Sequence, residues 1–259
     1  MKVRCGRTLA LGAGALAIFT LTSCNWFRSR QLTETTKTVV VLVDRSASTG
    51  RDRALYQRAA KAVIEGLKPG DRLIASPITE ASANDFRDYL DASLPAPLAP
   101  LRLWDVPQKY AAEKQAWEEQ YKTKMNQIRQ ATDKLLEAPS GSPKTRIFES
   151  LRITAQILAS EHRPVKVVVV LSDMLEDSNE ADFEAMQLSD AAIAKELARQ
   201  QQQQIVPDLR GVRVFVAGAS GEPLERAAAL ERFWRRYFQE AGALIDPGGY
   251  SRAVPNFAF

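Results

Sequence analysis

Three oxygen-bearing side chains stand at alternate positions, Asp44, Ser46 and Ser48, directly after the apolar run at residues 38–43. One carboxylate and two hydroxyls are hard oxygen donors, a set that suits Mg²⁺ or a similar cation rather than Zn²⁺. By themselves these residues fit a capped turn before a helix equally well, because Asp and Ser accept hydrogen bonds from free backbone amides. Two further residues extend the donor set. Asp173 comes two positions after a second apolar run, Val165–Leu171, and Thr145 lies in the stretch 143–151, a loop leading straight into a helix. If both runs are strands, Asp44 and Asp173 each sit at a strand's carboxyl end, where open α/β sheets bind their ligands.

Other chemistries lack their parts. The single histidine, His162, precedes the run at Val165 and so belongs to the amino end of that strand, away from Ser46 and Ser48. A Ser-His-Asp triad therefore does not assemble, and His162 reads as a surface residue. The chain has no glycine-rich phosphate cradle. A metal-assisted phosphohydrolase would want a second carboxylate two residues after Asp44, where this chain has Ser46. Cysteines number two, Cys5 and Cys24. Both lie near the start, so the body offers neither a thiol nucleophile nor a disulfide scaffold.

The elements that must position the donors alternate in type. The 38–43 run is continuous and β-branched, which suits a strand covered on both faces in a parallel sheet. A helical pattern follows at 53–67 and stops at Lys68-Pro69-Gly70. Strands are expected at Arg72–Ile78, Val165–Leu171 and Val212–Ala217, with a weaker edge strand at 85–93 and a last short one at 243–245. Helices are expected at 147–158, from about 181 to the glutamine run 200–204, and at 224–241, where Phe233, Trp234, Tyr237 and Phe238 share a core-facing spacing. Strand and helix in alternation imply an α/β fold: a doubly wound, mostly parallel open sheet with helices on both faces.

One long helix, 108–137, interrupts this alternation as an insertion after the proline-bearing connection 94–107. Trp117, Tyr121, Met125, Ile128, Thr132 and Leu135 make one apolar stripe along it. That stripe is expected to pack on the domain; the other reading is an arm projecting toward a partner or a membrane. The opposite face mixes Glu113, Lys114, Glu118, Glu119, Lys122 and Lys124, with no basic excess for an anionic membrane.

The start of the chain reads as a targeting segment. Lys2, Arg4 and Arg7 precede an uncharged stretch at 9–21 and then Leu21-Thr22-Ser23-Cys24. A short apolar run after a basic start is a secretory signal rather than a spanning helix, although residues 8–27 are uncharged and long enough to span as an anchor. Leu-Thr-Ser-Cys resembles the bacterial lipobox, which implies removal of 1–23 and acylation of Cys24. The body would then be tethered by a polar linker, 24–37, to a membrane of the bacterial cell envelope, facing the periplasm or the exterior. The formal charge of +4 falls to about +1 without residues 1–23, leaving 32 basic and 31 acidic residues. So balanced a surface has no footprint for nucleic acid.

A strand-end Asp-x-Ser-x-Ser, a loop threonine and a strand-end aspartate, in that order, resemble the metal-ion-dependent adhesion site of von Willebrand factor A domains. Leu67-Lys-Pro-Gly-Asp-Arg-Leu73 resembles that family's turn into its second strand. The resemblance covers residues 38–248, leaving 249–259 as a tail. It implies that Ser46 and Ser48 coordinate a divalent cation directly, Thr145 directly or through water, and Asp44 and Asp173 mainly through water. Mg²⁺ is the expected ion, with Mn²⁺ or Ca²⁺ as alternatives, and a protein partner completes its coordination with a carboxylate. The function implied is a metal-dependent, protein-binding module without enzymatic activity. The alternatives are a scaffold whose metal site is structural or vestigial, and the phosphohydrolase above. Where many members of the family have Asp-Gly, this chain has Asp173-Met-Leu-Glu176-Asp177, which adds acidic residues beside the site.

Overall fold

A computed structural model describes residues 36–86, 90–103, 105–138, 141–219 and 223–257, with the side chains of Ser48 and Asp85 left out. Cys24, the targeting segment and the tether up to residue 35 lie outside the described residues. Among the described residues, no helix is long and apolar enough to cross a membrane.

The chain runs β1 (Lys37–Asp44), α1 (Arg53–Glu65), β2 (Arg72–Ile78), α2 (Ser82–Asp85), β3 (Leu90–Ser93) and α3 (Pro107–Glu137). It continues through α4 (Ile147–Ala159), β4 (Val165–Leu171), α5 (Asp190–Gln202), β5 (Val212–Ala217), α6 (Leu224–Glu240) and β6 (Tyr250–Ser251). The strands form one sheet in the order β3-β2-β1-β4-β5-β6. All neighbours are parallel except β3, which runs antiparallel on the edge of β2. The order reverses between β1 and β4, so the switch point of this doubly wound sheet lies between the two apolar runs.

Burial on both faces explains those runs. Val39, Val41 and Val43 pack with α1 and α3, while Val40 and Leu42 pack on the other face with α4, α5 and α6. The α6 aromatics Phe233, Trp234, Tyr237 and Phe238 are fully buried and interlock with Phe148 and Phe183. His162 is exposed just before β4, at the amino end of the sheet.

Several elements differ from expectation, each for a local reason. The last strand is Tyr250–Ser251, beyond the segment 243–245, where Leu244 makes only a single bridge to Arg213. A 3-10 turn at Pro247–Gly249 brings the chain back against β5, and Phe257 then packs edge-on against Phe215. The sheet thus draws on residues beyond 248. Helix α5 starts at Asp190, not near 181, because Ser178 and Asp182 accept bonds from nearby amides (Glu180, Glu184, Ala185) and hold the chain in turns. Its start is capped by Ser189, whose hydroxyl accepts from Ala192. Of the 85–93 segment, Leu90–Ser93 is strand and Asp85 ends α2, while residues 87–89 lie outside the described residues. The stripe of α3 is buried from Met125 to Leu136, whereas the first half of the helix stands mostly exposed.

The amino end of the sheet is closed by a buried ion pair. Lys37 Nζ lies 2.7 Å from Asp71 Oδ2, with side chains 3% and 1% exposed. Asp71 also accepts from the Lys37 and Lys68 amides, and Lys37 Nζ donates to the Gly66 carbonyl. Asp71→Ala would leave the lysine charge buried and unpaired, so a loss of about 3–5 kcal/mol in denaturant unfolding is expected. The double variant Lys37→Met/Asp71→Leu, which removes both charges, should recover most of that loss.

Candidate metal centre

At the carboxyl end, β1 delivers Asp44 into the interior, 2% exposed. Its Oδ1 accepts from the Ser46 amide at 2.8 Å, and its Oδ2 from the Ser172 hydroxyl at 2.6 Å. The chain after Asp44 turns at once into a 3-10 helix, Ala47–Asp52, on which Ser48 lies. Thr49 fixes that turn by donating its hydroxyl to the Ser46 carbonyl at 2.8 Å. Ser46 itself is buried and bridges to Ser142, and the Gly141 and Ser142 amides both donate to the Arg45 carbonyl. These bonds bring the threonine loop beside the Asp44 turn.

Thr145 is buried, 4% exposed. Its amide and carbonyl exchange bonds of 3.0 Å with Asp177, so the loop is tied to the segment that follows Asp173. Asp173 is also 4% exposed, and its Oδ1 accepts from the Leu175 amide at 3.1 Å. It caps no helix, since turns follow it and the next helix begins at Asp190. The next residue, Met174, has φ +67, and its carbonyl accepts from Trp234 Nε1 of α6 at 2.8 Å. That bond supports a left-handed conformation that a residue with a Cβ adopts at a cost.

Four of the five expected donor residues are therefore buried: Asp44 as the last residue of β1, Ser46 and Asp173 just beyond β1 and β4, and Thr145 in the loop before α4, tied by backbone bonds to the segment after Asp173. The fifth, Ser48, joins them by backbone position, and its side chain lies outside the described residues. Sequence reasoning passed over Ser172. Its hydroxyl donates to Asp44 and accepts from the Met174 amide, linking the two strand ends. A serine between an apolar strand and a strand-end aspartate was the available signal. Glu176 differs from expectation in the other sense. It is fully buried and turned to α4, where Oε2 accepts from the Ile147 and Phe148 amides at 2.7 and 3.1 Å. It serves the helix start by accepting from two amides that have no partner within the helix.

Electrostatics mark the pair of aspartates. Burial, then the neighbouring Asp173 charge, pushes the Asp44 carboxyl up to about 7, and the bonds from Ser172 and Ser46 pull it back. No basic side chain is among the groups that set it. Tyr56 of α1 is pushed up as well, by burial first and then by Asp44, Asp173 and Asp52. Its ring fills the space at Gly218, where φ is +96 and an added Cβ would lie 2.5 Å from Tyr56 Cε1. Among the described residues, no group of three or more His, Cys, Asp or Glu side chains could hold a metal. Any cation here would thus rely on two carboxylates and hydroxyls, a hard and charge-poor donor set that fits Mg²⁺ or Mn²⁺ better than Zn²⁺.

A cleft also lies away from these residues. Of about 680 Å³, it opens between α4 and the turn before β5, but two of its charged residues are committed, Arg152 to Glu180 and Arg210 to Asp208.

No protein-family model matches the chain, and no curated protein matches it. Solved structures do match. The manganese-loaded TRAP protein of Plasmodium vivax is 14% identical over 84% of this chain and 68% of that one, with a TM-score of 0.40. A von Willebrand factor type A protein from Catenulispora acidiphila is 16% identical over 80% of this chain and 42% of that one, at 0.34. An aerotolerance-related membrane protein from Bacteroides fragilis is 13% identical over 81% and 90%, at 0.35. Strand order and register, rather than these overlaps, define the α/β fold.

Burial raises Glu176 to about 8, against the pull of the Ser178 hydroxyl and the Phe148 and Ile147 amides. A carboxyl raised on folding binds a proton more readily in the native state, so stability falls as pH rises from its unfolded value toward about 8. Metal-free protein should thus unfold more easily at pH 8 than at pH 5, by up to about 1.4 kcal/mol per pH unit from this group. Glu176→Gln should flatten the part of the slope that Asp44 does not supply. Urea unfolding in chelator across this range measures it, and an unchanged slope in the variant would show that Glu176 is ionised throughout.

Proposed function

We infer that the chain is a von Willebrand factor A-like module that takes up a divalent cation between β1 and β4 and binds a protein partner through it. The observation that carries this reading is the Asp44–Asp173 pair. Two buried carboxyls meet at the switch point of the sheet, where burial and then Asp173 raise the proton affinity of Asp44, with serine and threonine hydroxyls around them. A fold gains nothing from such repulsion unless something positive relieves it.

In this reading Ser46 and Ser48 hold the ion directly, Thr145 directly or through water, and Asp44 and Asp173 mainly through water. The ion supplies a Lewis-acid position, open to a carboxylate of the partner. The protein's own part is positional. Ser172 and the Ser46 amide fix both oxygens of Asp44, the Leu175 amide orients Asp173, and the bonds to Asp177 hold Thr145 in place. The exposed histidine at the far end of the sheet favours binding over catalysis.

The anchor belongs to the same proposal. Cys24 carries lipid after removal of residues 1–23, and the body faces the periplasm or the exterior of a bacterial envelope. Mass spectrometry should find an acylated Cys24 at the amino terminus; an intact Met1 would refute this part.

Asp173→Asn tests the site with least disturbance, since it keeps an acceptor for Leu175 while removing one charge. In chelator the variant should melt as high as the wild type or higher. Mg²⁺ or Mn²⁺ should raise the melting temperature of the wild type only, consistent with about 2.7 kcal/mol at a hundredfold excess over the dissociation constant. Chelator-sensitive capture of the partner from envelope extract should vanish with it. A variant that keeps the full metal shift would dismiss the site.

A further inference from the structure

The first half of α3 stands mostly clear of the core, which it meets only near its end, at Tyr121. From Pro107 to Gln120 every residue is exposed except Tyr110 and Trp117, which are half-buried, and burial in the core begins only at Met125. The incoming chain braces this half: Trp117 stacks on Tyr121 and donates Nε1 to the Ala96 carbonyl at 2.7 Å. At 1.5 Å per residue, the stretch from Pro107 to Tyr121 forms an arm about 20 Å long. Its tip is apolar. Leu101, Leu103 and Val106, 51%, 101% and 57% exposed, are three of the five exposed large hydrophobic residues among those described. Isolated apolar residues on a surface mean little, whereas three within one projecting turn mark a contact site.

Register shows which end of the molecule this is. β3 ends at Ser93 opposite Arg72, the first residue of β2, and Gly70 then donates its amide to Pro95. The arm therefore leaves from the amino end of the sheet. Thr36 leaves from the same place, since a Cβ on Gly70 would lie 3.0 Å from Thr36 Cγ2 and 3.5 Å from Pro97 Cδ. The segment leading back to Cys24 thus joins the body beside the root of the arm. From Cys24 to Thr36 the extended chain reaches about 40 Å at most, more than the length of the arm.

The geometry points to a lipid surface as the occupant of this tip: Leu101, Leu103 and Val106 dip into the bilayer that holds the Cys24 anchor. The inference rests on the lipid-anchor reading. Arg102 and Lys109 are offset by Asp105 and Glu113 nearby, so the contact is apolar insertion, independent of anionic headgroups. Anchor and tip make two weak attachments, the arrangement that stable membrane binding needs. The body then stands on its arm with the Asp44–Asp173 end turned away.

The test uses the full lipidated chain in phosphatidylcholine vesicles, with a polarity-sensitive fluorophore on Leu103→Cys, and on Glu80→Cys as a control at the opposite end of β2. Flotation with vesicles reports the anchor separately. The expected result is a blue-shifted emission at 103, lost to nitroxide-labelled lipid, with neither effect at 80. Absence of quenching at both sites in floating protein overturns the proposal, and quenching at both means the body lies flat, which also overturns it. A lipid-free shift at 103 that grows with protein concentration assigns the tip to a second copy instead. A chain that fails to float removes the anchor and the proposal together, and flotation distinguishes that outcome from failure of the tip alone.

Discussion

Two carboxyl groups held out of water, one raising the proton affinity of the other, are the constraint around which the carboxyl end of this sheet is arranged. Asp44 ends β1 and Asp173 stands two residues beyond β4, the neighbouring strand of the sheet. What makes the arrangement tolerable is a ring of neutral donors: the Ser172 hydroxyl and the amides of Ser46 and Leu175. These donors in turn require the 3-10 turn after β1 and the left-handed Met174 after β4, and Met174 needs Trp234 of α6 behind it. The chain of dependence runs from one pair of carboxylates to the packing of the far helix layer.

The opposite end of the sheet solves its charges differently. Lys37 and Asp71 neutralise each other in the interior, and Arg72 bridges Asp91 and Glu161, with Arg163 completing the set. Although burial alone would raise Glu161, Arg72, Thr38 and Arg163 hold its carboxyl down at about 2. Acid and base are matched at the amino end, whereas at the carboxyl end the groups that set Asp44 are an acid, Asp173, and two serines.

Strands legible in the sequence were those with two buried faces. The runs ending at Asp44 and Asp173 are unbroken and β-branched because helices cover both sides, and nothing else in the chain competes for that pattern. Segments governed by side-chain-to-backbone bonds were harder: turns around Ser178 and Asp182 carry a helix-like composition, and only their hydrogen bonds reveal why α5 waits until Asp190. Glu176 looked like an addition to the acidic site because spacing along the chain says nothing of which way a buried side chain turns. The α3 stripe likewise reads as uniform in sequence, yet the body ends near Met125 and the helix does not.

The strand order also dictates the sequence in which this molecule can come together during synthesis. β1 lies in the middle of the sheet but is made first among the strands, and one of its two neighbours, β4, begins at residue 165. Until then an all-apolar strand has one edge bare, while the α3 segment is still being added. Contacts so distant along the chain close slowly, and a strand edge exposed for that long is a template for mispairing with other copies. The feature that centres the site is thus also the one that makes the half-made chain dependent on whatever shields it before β4 arrives.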